Sequence, residues 1–218
     1  MEIINVDNYV IDIPRSSTLK TSYGSNETAT TVLTVLKTDS GLEGYGQASV
    51  DAPFYGETAE SMYVNIERHI KPHLIGLNPL DHTRILNIIN TNLPFHNHTF
   101  TISGIDMALW DITGKAWGVP VYRLLGGPTR EKIRMYPSAT SYKIGPGGPR
   151  PFTATPAQVE GMINHIAEIR KRVGKDGVIM VDVHCAFPPP HVIQLAGSIE
   201  PYDIAFIEEP AVPGNIEV

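Results

Sequence analysis

One cysteine in 218 residues, Cys185, leaves no partner for an internal disulfide, so burial and hydrogen bonding must hold this fold. A lone thiol beside an apolar run reads as packing. Basic clusters are missing too, and a formal charge of −6 gives nucleic acid no electrostatic footprint. No apolar run reaches the length that crosses a bilayer. The first residues, Met1 to Ile13, place acids inside an alternating apolar pattern, unlike a secretory leader. The expectation is a cytoplasmic protein with neither a nucleic-acid nor a membrane partner. Internal repeats and low-complexity tracts are absent, and 42% hydrophobic against 18% charged residues excludes a disordered chain.

Several familiar chemistries are also missing. No serine nucleophile motif occurs. Gly145-Pro-Gly-Gly-Pro149 is rich in glycine but lacks the strand and helix of a phosphate cradle, so it reads as a loop. His96-Asn-His98 alternates histidines in a polar stretch before a helix, which reads as solvated and not as a metal pair.

What is present begins with strand periodicity. Residues 2–13 and 29–38 alternate, and Asp39-Ser-Gly-Leu42 turns into a third strand at Glu43-Gly-Tyr-Gly-Gln47. These make an antiparallel meander. Arg15 to Thr28 is polar and too long for a hairpin turn, and is expected to form a mobile flap. From Glu57 the period becomes helical, through Met62, Ile66 and Ile70, then Ile85, Leu86 and Ile89, then Ile105, Leu109, Ile112 and Ala116. Gly118 and Pro120 stop the last helix. A domain boundary is placed at Gly127.

Beyond it, Lys132 to Pro137 reads as a strand. Thr155-Pro-Ala-Gln158 is a capping box with proline at the first helical position, followed by an apolar stripe of Val159, Met162, Ile163, Ile166, Ile169 and Val173. A strand over 178–183, a helix over His191–Ile199 and a strand over 204–208 follow. Alternating strands and helices predict a parallel sheet flanked by helices. The fold class is an α+β capping domain, residues 1–127, followed by an incomplete α/β barrel, residues 128–218.

Asp182 and Glu208 end the two buried strands, and the segment between them holds one helix, so both carboxylates should open onto one edge of the sheet. That is how an oxygen-ligand metal site is built. His184 follows Asp182 by two, so in an extended strand both side chains face the same way. An imidazole there is suited to proton donation near neutral pH.

Gly44-Tyr-Gly-Gln47, Ile105-Asp-Met-Ala-Leu-Trp-Asp-Ile-Thr-Gly-Lys-Ala-Trp-Gly-Val-Pro120, Tyr122-Arg-Leu-Leu-Gly-Gly127, Val181-Asp-Val-His184 and Phe206-Ile-Glu-Glu-Pro210 together resemble the enolase superfamily. Within it, they are most similar to the mandelate racemase and muconate lactonizing enzyme family, on the acid-sugar (galactonate-type) dehydratase branch. The resemblance implies a capping domain over a TIM-type barrel and one Mg²⁺ held by three carboxylates on successive strands. Asp182 and Glu208 match the first two; Glu209 matches no ligand and is assigned a solvated or supporting charge. Asp-x-His resembles the dehydratase pattern, in which His184 protonates a departing hydroxyl, whereas racemases and cycloisomerases show Asp-x-Asn. Lys143 is the only match for the second-strand base, with an exposed loop lysine as the alternative. Lys20 and Tyr23 of the flap, and Tyr55 of the loop Asp51–Glu57, are the implied substrate contacts.

The implied reaction is Mg²⁺-dependent removal of the proton next to a carboxylate, with dehydration of a sugar acid to a 2-keto-3-deoxy acid. Racemization or cycloisomerization, or a non-catalytic remnant, are the alternatives. Too few residues separate Tyr136 from Lys143 for a barrel crossover, and fewer than half of the roughly 250 residues of a closed barrel follow Gly127. The chain is therefore expected to be a fragment or to be completed by another copy, lacking the third metal carboxylate. A complete protein is expected to form a homo-oligomer.

Overall fold

A computed structural model of the protein describes residues 1–21, 24–50, 52, 56–93, 98–136 and 154–211. They belong to two compact units, Met1–Ser17 with Glu27–Met135, and Thr18–Asn26 with Tyr136–Val218. β1 (Ile3–Thr21), β2 (Gly24–Thr38) and β3 (Glu43–Ser49) form one sheet in the order β1-β2-β3. β2 and β3 pair antiparallel, with Val35 opposite Tyr45. Asp7 meets Lys37, Asn8 meets Thr34 and Asp12 meets Thr30, so β1 and β2 also run in opposite senses. The meander expected from the alternation is there.

The flap expected over Arg15–Thr28 is not a loop at its described positions. β1 continues to Thr21 and β2 starts at Gly24. Residues 13–19 are exposed, so neither face of this ribbon carries the apolar alternation by which a strand is recognised.

After the sheet come α1 (Ala59–Val64), a π-helical segment (Asn65–Ile70), α2 (Lys71–Leu74), α3 (His82–Asn92), α4 (Thr99–Trp117) and the short α5 (Val121–Leu124). Met62, Ile66, Ile70, Ile85, Ile89, Ile105, Leu109 and Ile112 are all buried in one core with Ile3, Val6, Val32 and Leu36. Full burial of each such side chain stabilises by about 1.5–3 kcal/mol before entropy is counted. Ala116, expected on that stripe, is exposed. Gly118, at φ 68, ends the helix in the left-handed conformation that glycine adopts without a Cβ clash.

α4 lies directly on β3. A Cβ at Gly46 would run into the Gly104 carbonyl, with the Ala108 nitrogen at 2.8 Å, and one at Gly44 would strike the Ala108 carbonyl and Ile112. Asp111 accepts from the Tyr45 N–H at 2.9 Å, and from Lys115 Nζ at 2.7 Å, which also donates to the Glu43 carbonyl. At the other end of the helix the buried Glu57 accepts from the Phe100 N–H at 2.8 Å and the Thr101 N–H at 3.2 Å. A carboxylate there satisfies free N–H groups of the first turn and complements the helix dipole.

In the second unit α6 (Pro156–Val173), β4 (Ile179–Asp182), α7 (Pro189–Ile199), a 3₁₀ turn (Glu200–Tyr202) and β5 (Ile204–Glu208) follow in order. The capping box forms as expected: Thr155 Oγ1 accepts from the Gln158 N–H, and Gln158 Oε1 accepts from the Thr155 N–H at 2.8 Å. Val159, Met162 and Ile166 of α6 and Val192, Leu195 and Ile199 of α7 are buried with Ile179, Val181 and Val183. Val173, at the end of the predicted stripe, is exposed. The Arg170 guanidinium donates to the carbonyls of Gly174, Gly177, Tyr202 and Asp203, which fixes the chain leading into both strands. Lys132–Tyr136 is not a strand, and Ile133, Met135 and Tyr136 are largely exposed. Among the described residues no strand pairs with this segment, so its backbone has no ladder to join.

Two outcomes follow for the first unit. Gly46→Ala should destabilise by about 3 kcal/mol, read as a lowered urea midpoint, because helix and strand backbones must separate. The second concerns His82. Thr113 Oγ1 spends its proton on the Leu109 carbonyl, so it accepts from His82 Nε2 at 2.8 Å, leaving Nδ1 facing Asp106 at 3.9 Å. Burial holds this imidazole below its ordinary pKa despite the opposing pull of Asp106. The unfolded chain therefore takes up a proton near about pH 6.5 that the folded chain refuses, and stability present above that pH is lost as pH falls. Urea unfolding at pH 7.5 and 5.5 should show a larger acid loss for the wild type than for His82→Gln.

Candidate metal and proton-transfer site

β4 and β5 run parallel with Val181 opposite Ile207 and Asp182 opposite Glu208. The alternation that buries Ile179, Val181 and Val183 against the helices puts Met180 and Asp182 on the other face of β4. Their register partners Phe206 and Glu208 share that face on β5. Both carboxylates thus stand at the C-terminal ends of adjacent parallel strands, where barrel folds place their chemistry.

The chain turns immediately beyond. Val183 donates to the Glu208 carbonyl at 3.0 Å, and Cys185 to the Glu209 carbonyl at 2.8 Å, so pairing continues past the strand ends. His184, Cys185 and Glu209 take φ of 49°, 51° and 44°, the left-handed region that non-glycine residues seldom occupy. The His184 N–H donates to Asp182 Oδ1 at 3.0 Å, and His184 Nε2 lies 3.2 Å from Asp182 Oδ2. The expected neighbourhood of His184 and Asp182 is therefore present, reached by a left-handed turn and not by continuation of the strand.

Among the described residues Asp182, His184 and Glu209 form a group whose potential ligand atoms all lie within 4.8 Å of one another. Glu209 is the member that strand alternation misses. β5 ends at Glu208, and the positive φ of Glu209 breaks the alternation that would have sent its side chain away. The Glu-Glu doublet before proline was the available signal. Glu208, the expected second ligand, is the register partner of Asp182 but is not part of this group, in which Glu209 takes its place. The carboxylate oxygens of Asp182 and Glu209 suit a hard divalent cation such as Mg²⁺, while the imidazole nitrogen suits proton transfer better than Mg²⁺ ligation.

Other expected site residues fall elsewhere. Lys143, Tyr23, Tyr55 and His96 lie outside the described residues. Lys20 lies in β1. His98 precedes α4 with its Nδ1 3.1 Å from Asn65 Nδ2. Cys185 is buried, as expected of a packing residue, and its Sγ also donates to the Ala211 carbonyl at 2.9 Å. No described helix is long and apolar enough to cross a membrane.

Residues 5–126 match the mandelate racemase / muconate lactonizing enzyme N-terminal domain, and residues 130–218 match the enolase C-terminal domain-like family. The N-succinyl-L-Arg/Lys racemase of Bacillus cereus is 27% identical over all of this chain and 62% of its own length. Its crystal structure superposes with a TM-score of 0.87 at 26% identity, again covering all of this chain and 62% of that one. The D-galactonate dehydratase of Pectobacterium atrosepticum is 31% identical over 84% of this chain and 52% of its own. The chain thus spans between about half and two thirds of these relatives.

Asp182→Asn keeps an acceptor for the His184 N–H but removes the charge. It is expected to weaken Mn²⁺ binding, read by calorimetry, by at least about ten-fold while leaving the thermal midpoint within a few degrees.

Proposed function

Because the chain belongs to the mandelate racemase/muconate lactonizing enzyme family of the enolase superfamily, we propose that it carries the first metal carboxylates and the acid of a sugar-acid dehydratase. When bound, Mg²⁺ would supply positive charge that stabilises the negative charge developing on the substrate carboxylate as the α-proton leaves. Asp182 and Glu208 would hold it, with Glu209 beside them. The α C–H bond breaks to a base, for which Lys143 is the candidate. The His184 imidazolium gives its proton to the β-hydroxyl as the C–O bond breaks, so water leaves and the enol product becomes a 2-keto-3-deoxy acid.

The observation that carries this reading is the 3.2 Å contact between His184 Nε2 and Asp182. A proton donor at that carboxylate can protonate a departing β-hydroxyl, whereas in a racemization an acid must instead return a proton to the α-carbon, so the product formed distinguishes the two. The Asp182 carboxylate, which also accepts from the His184 N–H at 3.0 Å, holds the imidazole in place. Lys20, Tyr23 and Tyr55 are proposed to meet the substrate hydroxyls and carboxylate. The protein is proposed to be cytoplasmic and, with a closed barrel, oligomeric.

A second reading rests on the likeness to the Bacillus cereus racemase, which covers all of this chain and 62% of the racemase. It retains proton removal and returns the proton to the opposite face of the same carbon. A panel of sugar acids and N-acylated amino acids, assayed with Mg²⁺ for 2-keto acid and for loss of optical rotation, separates the two. Dehydration predicts keto acid from a sugar acid, abolished by chelation and lowered about 10²–10⁴-fold in His184→Asn. Optical inversion without keto acid would establish the racemase instead.

A further inference from the structure

Three of the four non-glycine residues with positive φ among the described residues, His184, Cys185 and Glu209, are gathered at the carboxylate end of β4 and β5. Left-handed backbone at residues with a Cβ is held only where surrounding contacts over-determine it. The contacts that do so here converge on one residue. Cys185 is 3% exposed; its N–H donates to the Glu209 carbonyl at 2.8 Å and its Sγ–H to the Ala211 carbonyl at 2.9 Å. The turn is closed on its own side by the Ala186 N–H, which donates to the Val183 carbonyl at 3.0 Å.

We infer that Cys185 is a positioning residue, its thiol fastening the turn that carries His184 to the loop that carries Glu209. The inference rests on the reading of Asp182, His184 and Glu209 as one site. The geometry explains why a single residue has this leverage. His184 immediately precedes Cys185, and Glu209 supplies the carbonyl that Cys185 binds, so both site side chains branch from peptide units that Cys185 joins. The backbone bond alone fixes the two turns at one point. The second bond, two residues further along at Ala211, removes the remaining rotation about that point. A buried S–H is a weak donor, but here it has a carbonyl partner and little access to water.

The test uses the whole 218-residue chain in three variants. Cys185→Ala removes the thiol and retains the N–H. Cys185→Gly also removes it while favouring the left-handed backbone, so it keeps the experiment decisive if the alanine variant does not fold. Cys185→Ser restores a donor. Two readouts are taken: Mn²⁺ affinity by calorimetry, and the His184 ring Cε1–H resonance in metal-free protein. Cys185→Ala and Cys185→Gly are expected to move the His184 resonance and to weaken Mn²⁺ about ten-fold, with Cys185→Ser returning both toward wild type. An unmoved resonance in both thiol-free variants overturns the inference, as does a serine variant that behaves like alanine. Wild-type chain that binds no Mn²⁺ would instead count against the proposed metal chemistry, and the resonance arm would still decide the role of Cys185.

Discussion

The parallel register that sets Asp182 beside Glu208 is the constraint on which the rest of the candidate site depends. Two short strands joined through α7 have few ways to bring oxygen donors together, since neighbouring side chains alternate between the helix-covered face and the open one. Burial of Ile179, Val181 and Val183 against α6 and α7 decides which face is which. Once that is fixed, Met180 and Asp182 take the open face with no freedom left. The Arg170 guanidinium, bound to four carbonyls ahead of the two strands, holds their starting points. The register irregularity between Ile179 and Met180 is accommodated below the site and not at it.

Much of this was legible in the sequence because it rests on burial. Apolar positions at helical spacing became the core of α1, α3, α4 and α6, and Thr155 and Gln158 formed their reciprocal cap. Strand-end carboxylates were found because an apolar run that stops at an acid marks where a buried strand meets solvent. The features that escaped are those with no apolar signature. The ribbon extending β1 and β2 is polar on both faces, so period-two alternation could not reveal it. Lys132–Tyr136 has the residue types of a strand but no ladder to join. His184 and Glu209 owe their places to left-handed turns that ordinary side chains seldom take, and neither is a glycine that would have marked one. Glu57 caps a helix whose first turn lies more than forty residues away, a contact beyond any local pattern.

The first unit reflects a different economy of contacts. Its sheet and helices share one apolar core, and α4 and β3 approach closely because Gly44 and Gly46 have no Cβ to meet the helix backbone and Ile112. Asp111 and Lys115 fix the helix along the strand by hydrogen bonds to Tyr45 and Glu43, so the motif around Trp110 and Asp111 is accounted for by architecture.

A junction in which main chain rests on main chain has an evolutionary consequence. Where Gly44 and Gly46 face Gly104, Ala108 and Ile112, a side chain on either strand glycine would force helix and strand apart, so their spacing depends on the two glycines. Lineages can therefore exchange most of the surrounding apolar residues, and re-tailor the polar ribbon and loops for new substrates, while inheriting an unchanged helix-strand spacing from two glycines.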